Sequence, residues 1–132
     1  MTKEEHIQYW LKSAKDDLKT ADHLFKTKRY QHCLFFAHLH LEKICKAIWV
    51  KYNKTNYPPK IHNLNKILSQ TPLLLTDEEK YFLEVMNKFC IAGRYPDYIQ
   101  SLYKIANKRF TYNKLEKVKK FKICLIEKGQ LT

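Results

Sequence analysis

EHIQYWLKSAKDDLKTADHLFKT, residues 5–27, is the stretch on which the fold turns. Ile7, Leu11, Ala14, Leu18, Ala21 and Phe25 recur at spacings of four, three, four, three and four, the signature of one apolar stripe along an α-helix. Trp10 and Leu24 widen the stripe, while Lys12, Lys15, Asp16, Lys19 and Asp22 fill the other side. A short polar link through Lys28 and Arg29 then turns the chain. The next helix is predicted over Tyr30–Tyr52, with Leu34, Ala37, Leu41, Ile44, Ile48 and Tyr52 as its stripe and Cys45 beside it. Phe35, Phe36 and Trp49 carry apolar character beyond one face. Such a helix is buried by more than one neighbour, and the expectation is intramolecular packing plus a dimer surface, with Phe36 and Trp49 shielded by self-association.

Working outward, Asn53–Lys60 contains Pro58-Pro59 and reads as a loop that no helix crosses. A shorter helix is predicted at about 61–70, carrying Leu64, Ile67 and Leu68. Thr76-Asp77-Glu78-Glu79 is a capping box that opens a helix built on Phe82, Leu83, Met86, Phe89 and Cys90. Gly93 reads as its stop. Residues 98–110 are ambiguous, an irregular or short helical crossing. Thr111 is the predicted cap of a last helix reaching about Glu127, with Leu115, Val118, Phe121 and Leu125 inward. No internal repeat, low-complexity tract or linker interrupts this order. Residues 1–132 are therefore expected to form one all-α domain, an antiparallel up-and-down bundle of four main helices plus a short one.

Composition agrees. The 132 residues are 45% hydrophobic, enough to bury a core, and 2 glycines leave little room for many short strands. No uncharged run is long enough to span a bilayer, and the polar start MTKEEH is no signal peptide. Cysteines 33, 45, 90 and 124 form no CxxC pair and fall in apolar patterns, so buried free thiols in a reducing cytosol are expected. The net charge of +12 is uneven: residues 101–132 carry nine basic side chains against two acidic. That end either attracts phosphates or an acidic partner, or is simply a solvated lysine-rich face.

Three separated segments stand out: Glu42-Lys43 with Lys46-Ala47, His62-Asn63-Leu64, and Arg94-Tyr95-Pro96-Asp97. With Trp10-Leu11, Ala14, Asp17-Leu18, Tyr30 and Phe36-Ala37 before them, their order and spacing resemble the HEPN domain family over about residues 5–128. His62-Asn63-Leu64 is similar to that family's His-Asp-Leu, with Asn63 in place of the acid. The resemblance implies a helical bundle that dimerises with a cleft at or beside the dimer axis. It also implies a separately encoded minimal nucleotidyltransferase as partner, in a toxin–antitoxin setting. In RNA-cleaving relatives the cleft holds an arginine followed four to six residues later by a histidine, which work without metal on the 2′-hydroxyl and the phosphate. This chain departs from that motif. His32 follows Arg29 too closely, and no histidine follows Arg94 or Arg109. The function expected is therefore a non-catalytic module with nucleotide or phosphate recognition. The rivals are an RNA-cleaving toxin with a rearranged Arg94/His62 site and a basic nucleic-acid-binding protein.

The candidate nucleotide- or phosphate-binding residues are Arg94, Tyr95, Asp97, Lys46, Glu42 and His62, with Arg94 and His62 the weak catalytic candidates. Each has a structural alternative. Arg94 and Asp97 could close the turn after Gly93 as an ion pair. Glu42 and Lys46, four apart on one helix face, could anchor a polar network with His62 or Arg94. His62 could cap the short helix. His38 and Glu42 share a face, but two ligands make no metal site, and no cofactor is implied. Tyr95, Tyr98, Tyr103 and Tyr112 alternate with Lys104, Lys108 and Arg109, a pattern that stacks bases or packs tyrosines at a bundle rim.

Overall fold

The computed structural model describes residues 1–131; of Pro96, Tyr98, Ile99 and Tyr103 it describes the main chain alone. Among the described residues six helices follow in order: α1 (Lys3–Lys26), α2 (Tyr30–Tyr52), α3 (Leu64–Ser69), α4 (Asp77–Arg94), α5 (Pro96–Ile105) and α6 (Lys108–Gly129). Among the described residues there is no strand, and no helix is long and apolar enough to cross a membrane.

The ends of the helices follow from their caps. Thr2 opens α1 with a capping box in which its hydroxyl accepts from the Glu5 amide, so the helix starts two residues before the predicted 5. The predicted box at Thr76 is present and opens α4. Two predicted signals are corrected. Gly93 does not stop α4, which runs on through Arg94, and its φ is not in the left-handed region. Thr111 does not cap the last helix; it is buried inside α6, and Asn107 caps the helix by accepting from the Phe110 amide at 2.8 Å. The ambiguous segment 98–110 resolves into α5, which starts at Pro96 in its first turn, followed by the Asn107 break.

Long-range contacts fix the directions. Lys3 Nζ donates to the Val50 and Asn53 carbonyls, both at 2.7 Å, His40 Nδ1 donates to the Ala14 carbonyl at 2.6 Å, and Lys43 pairs with Asp17 at 2.7 Å. Hence α1 and α2 are antiparallel, and Lys3 caps the carbonyl end of α2. Phe35 against Gly93 and His38 against Asn87 set α4 antiparallel to α2. Phe82 on Phe121 and Phe89 on Phe110 set α6 antiparallel to α4. The four long helices therefore form the expected up-and-down bundle, with α3 as the short element and α5 as an addition.

α2 is the centre of this bundle. Leu34, Leu41, Ile44 and Ile48 are fully buried, each burial being worth about 1.5–3 kcal/mol. α1, α3, α4, α5 and α6 all pack on it. This corrects the argument that surplus apolar surface on α2 calls for self-association. Trp49 is buried and its indole N–H donates to Gln70 at 2.6 Å, while Phe36 packs on the core. The extra apolar face of α2 is consumed inside the chain. Of the thiols, Cys33, Cys45 and Cys90 are buried and free as expected; Cys124 is free but half-buried, donating to Glu79 at 3.1 Å.

Candidate functional site

Glu42 is the pivot of the site. It sits in the middle of α2, 4% exposed, where an uncompensated carboxylate would be costly. Lys46, one turn on, donates to its Oε2 at 3.0 Å, and its ammonium lies 5.6 Å from the centre of the Trp10 ring. The loop before α3 delivers His62, whose Nδ1 lies 3.1 and 3.2 Å from the two Glu42 oxygens. His38, one turn before Glu42, has its own Nδ1 at 3.9 Å. The predicted network of Glu42 with Lys46 and His62 is thus formed.

His62 does not cap α3. Asn63 does, accepting from the Lys66 amide at 3.1 Å. With Nδ1–H given to Glu42, the His62 side chain stays 47% exposed and its Nε2 is left for another partner. His38 is fixed from the far side, its Nε2 lying 3.4 Å from Asn87 Oδ1. Burial lowers the His38 pKa to about 4, outweighing the opposing pull of Glu42, so it is neutral at pH 7. Although His38, Glu42 and His62 are neighbours, no three His, Cys, Asp or Glu groups among the described residues converge to hold a metal ion.

Arg94 reaches the site from the last turn of α4, where a cation also suits the helix dipole. Its guanidinium lies 5.6 Å from the centre of the Phe35 ring on α2. The neighbouring Cys90 thiol is the chief reason its pKa is raised, with the Glu42 charge a smaller contribution. Gly93 makes this seat possible. A Cβ there would stand 2.2 Å from Phe35 Cδ2, so the ring that carries Arg94 fits only because residue 93 has no side chain. Arg94 is exposed, as are Tyr95 and Asp97, and among the described residues no ion pair joins Arg94 to Asp97. The turn is made instead by Tyr95, which ends α4 and precedes Pro96 of α5, with Asp97 in the first turn of α5.

The structure thus gathers Glu42, Lys46 and His62 directly, brings Arg94 within electrostatic reach of Glu42, and leaves Tyr95 and Asp97 on the neighbouring turn. The predicted stacking side chains Tyr98 and Tyr103 lie outside the described residues, and Tyr112 packs against Phe25 at 6.0 Å between ring centroids. Sequence reasoning missed Asn87. Its Nδ2 donates to Asn63 Oδ1 at 3.2 Å and Asn65 Oδ1 at 3.0 Å, and its Oδ1 accepts from the Leu64 amide at 2.9 Å. This one side chain ties α4 to the loop that presents His62. The only signal was an asparagine in mid-helix, where that residue is disfavoured.

Chemically, one buried carboxylate is bonded to Lys46 and His62, with the exposed Arg94 guanidinium within electrostatic reach, so the cluster has positive charge to spare towards solvent. It suits an anion better than a cation. The HEPN domain family model matches residues 7–124. No curated protein is significantly similar to the sequence. Among solved structures, the crystal structure of TT1696 from Thermus thermophilus is similar in fold, with a TM-score of 0.77 at 18% identity, covering 92% of this chain and 97% of that one. With the family model spanning residues 7–124, nearly all of the bundle, the chain belongs to the HEPN domain family.

Proposed function

We propose that the chain is a non-catalytic HEPN module, a homodimer that works with a separately encoded minimal nucleotidyltransferase in a toxin–antitoxin system and recognises nucleotide or phosphate at the Glu42 cluster. The observation that carries this reading is the arrangement of charge. Lys46 is committed to Glu42 and Trp10 and serves to balance the buried carboxylate. Arg94 and His62 face solvent and are the groups that meet a phosphate, with Tyr95 and Asp97 beside them on the α4–α5 turn. The nucleotidyltransferase and the dimer are carried over from the family.

The Glu42–His62 hydrogen bond favours the second reading, RNA cleavage by a rearranged Arg94/His62 site. A carboxylate on Nδ1 holds the imidazole in one tautomer and leaves Nε2 turned away from Glu42. The two readings share their residues and differ in whether anything is cleaved.

The binding half is tested by titrating the protein with AMP and with inorganic phosphate while following the His62 ring signals by NMR. Shifts that saturate, and an Arg94→Ala variant that weakens binding at least about tenfold, support the assignment. No movement of His62 up to millimolar ligand removes it. Sedimentation of the purified chain tests the dimer separately, and a strict monomer at micromolar concentration contradicts that part.

A further inference from the structure

α4 and α6 both pack on α2 but are held apart, meeting through side chains. The Phe82 and Phe121 rings lie 5.2 Å apart between centroids, and Cys124 and Lys128 reach Glu79. Between the two helices runs an open groove of about 750 Å³. Its floor is Phe82, Val85 and Phe121, and one wall is formed by Lys114, Lys117 and Lys120. Spaced three apart, these lysines descend one side of α6.

None of the three has an ion-pair partner among the described residues, whereas Lys119 on another side of the same helix pairs with Asp22 at 2.9 Å. Of the two carboxylates that line the groove, Glu79 is held by Lys128 at 2.6 Å, and Glu78 makes no ion pair with these lysines. Lys114 is half-buried, with its ammonium 5.4 Å from the centre of the Phe110 ring. Burial first and the Lys117 charge second pull its pKa down, as expected for cations crowded on one wall without counter-charge. The wall therefore presents positive charge that the chain itself leaves uncompensated.

We propose that this groove docks an amphipathic helix of another protein, its apolar stripe on Phe82, Val85 and Phe121 and a flank of carboxylates against Lys114, Lys117 and Lys120. A trough between two helices with an apolar floor has the shape that accepts a third helix. The stretch from Lys114 to Cys124 rises about 15 Å, close to three helical turns. Single-stranded nucleic acid fits less well, since Phe82 and Phe121 turn their rings to each other rather than offering free faces for bases. A second copy is disfavoured because the chain carries +12 and two such walls repel. The proposal stands apart from the reading of the Glu42 cluster, which lies around α2 and the α4–α5 turn.

The test uses three fluorescein-labelled probes on the full chain, read by anisotropy. Two are synthetic helices of about 16 residues with the same leucine stripe, one flanked by glutamates and the other by lysines. The third is single-stranded RNA of similar length. The glutamate helix is expected to bind in the micromolar range. Lys114→Glu with Lys117→Glu is expected to weaken it at least about tenfold, and the same charge change at Lys19 and Lys26 to leave it within about twofold. Circular dichroism checks that each variant is folded. The proposal is overturned by any of four results: no binding of the glutamate helix up to about 200 µM, equal binding of both helices, RNA bound through these lysines in its place, or a dimer in sedimentation that the Lys114/Lys117 substitutions dissociate.

Discussion

The Glu42 cluster and the α4–α6 groove are built from the same side-chain types and handle charge in opposite ways. At Glu42 the buried charges are answered within hydrogen-bonding distance: the carboxylate holds Lys46 and His62, and Trp10 covers the lysine. In the groove, Lys114, Lys117 and Lys120 stand over an apolar floor with no counter-ion among the described residues. Physically the first arrangement is forced. A charge deep in the bundle must be paired or the fold is lost, while a charge at a rim costs little when left to water. The cluster therefore reports on stability and on how Arg94 and His62 are presented. The groove is free to report on a partner.

The comparison breaks first, and most visibly, at Glu42. Glu42→Gln leaves Lys46 buried without its counter-charge and is expected to cost about 3–5 kcal/mol in urea unfolding. A loss under about 1 kcal/mol would show that Lys46 is reached by water and that the two regions do not differ as claimed. Acid comes next, counted histidine by histidine. Burial lowers both His38 and His40 to about 4 from an ordinary 6.5. The unfolded chain therefore takes up protons between pH 6.5 and 4 that the folded one refuses. Stability is complete above about pH 6.5 and falls as pH drops to 4, by as much as about 3 kcal/mol for each histidine once both states are protonated. The urea midpoint followed against pH measures this, and the Lys114/Lys117 double substitution should leave the slope unchanged.

Gly93→Ala comes third. Its new methyl meets the Phe35 ring at 2.2 Å, and the expected loss is about 1–3 kcal/mol together with a displaced Arg94. A neutral result would mean that the ring moves freely and does not seat the guanidinium. The smallest effect belongs to the groove. Lys114→Glu with Lys117→Glu should change stability by no more than about 0.5 kcal/mol, and the opposite charge set beside Lys120 should offset what packing is lost. A larger loss would make those lysines structural and dissolve the contrast with Glu42.

How much of this was legible in the sequence follows the same division. The stripes of α1 and α2, the Thr76 box and the Glu42–Lys46 pair could be read directly, because each is local or lies on one helix face, whereas His62, 20 positions from Glu42, stood only as an alternative to Arg94. α5 could not. It is short, begins on a proline and follows another helix within two residues, so its apolar period runs for too few turns to be told from a loop. The start of α6 was misread because Asn107 and Thr111 are both good capping residues, and burial of Thr111 decided for Asn107. Gly93 was misread because a glycine near a helix end ordinarily marks the stop, whereas here it makes room for Phe35, a residue 58 positions away. Phe36 and Trp49 suggested an outer interface only while the coverage of α2 by the other helices was unknown. Asn87 could not be read at all, since its meaning lies in three segments that only the tertiary fold brings together.

The central claim is that Arg94 and His62 recognise a phosphate without cleaving its ester. Incubating the purified chain with labelled single-stranded RNA in the presence of EDTA, beside the Arg94→Ala and His62→Ala variants, tests it most directly. The account predicts no cleavage above the no-protein control for any of the three, with all of them folded. Cleavage by the unsubstituted chain that disappears in both variants would contradict it and make the Glu42–His62 pair a catalytic device.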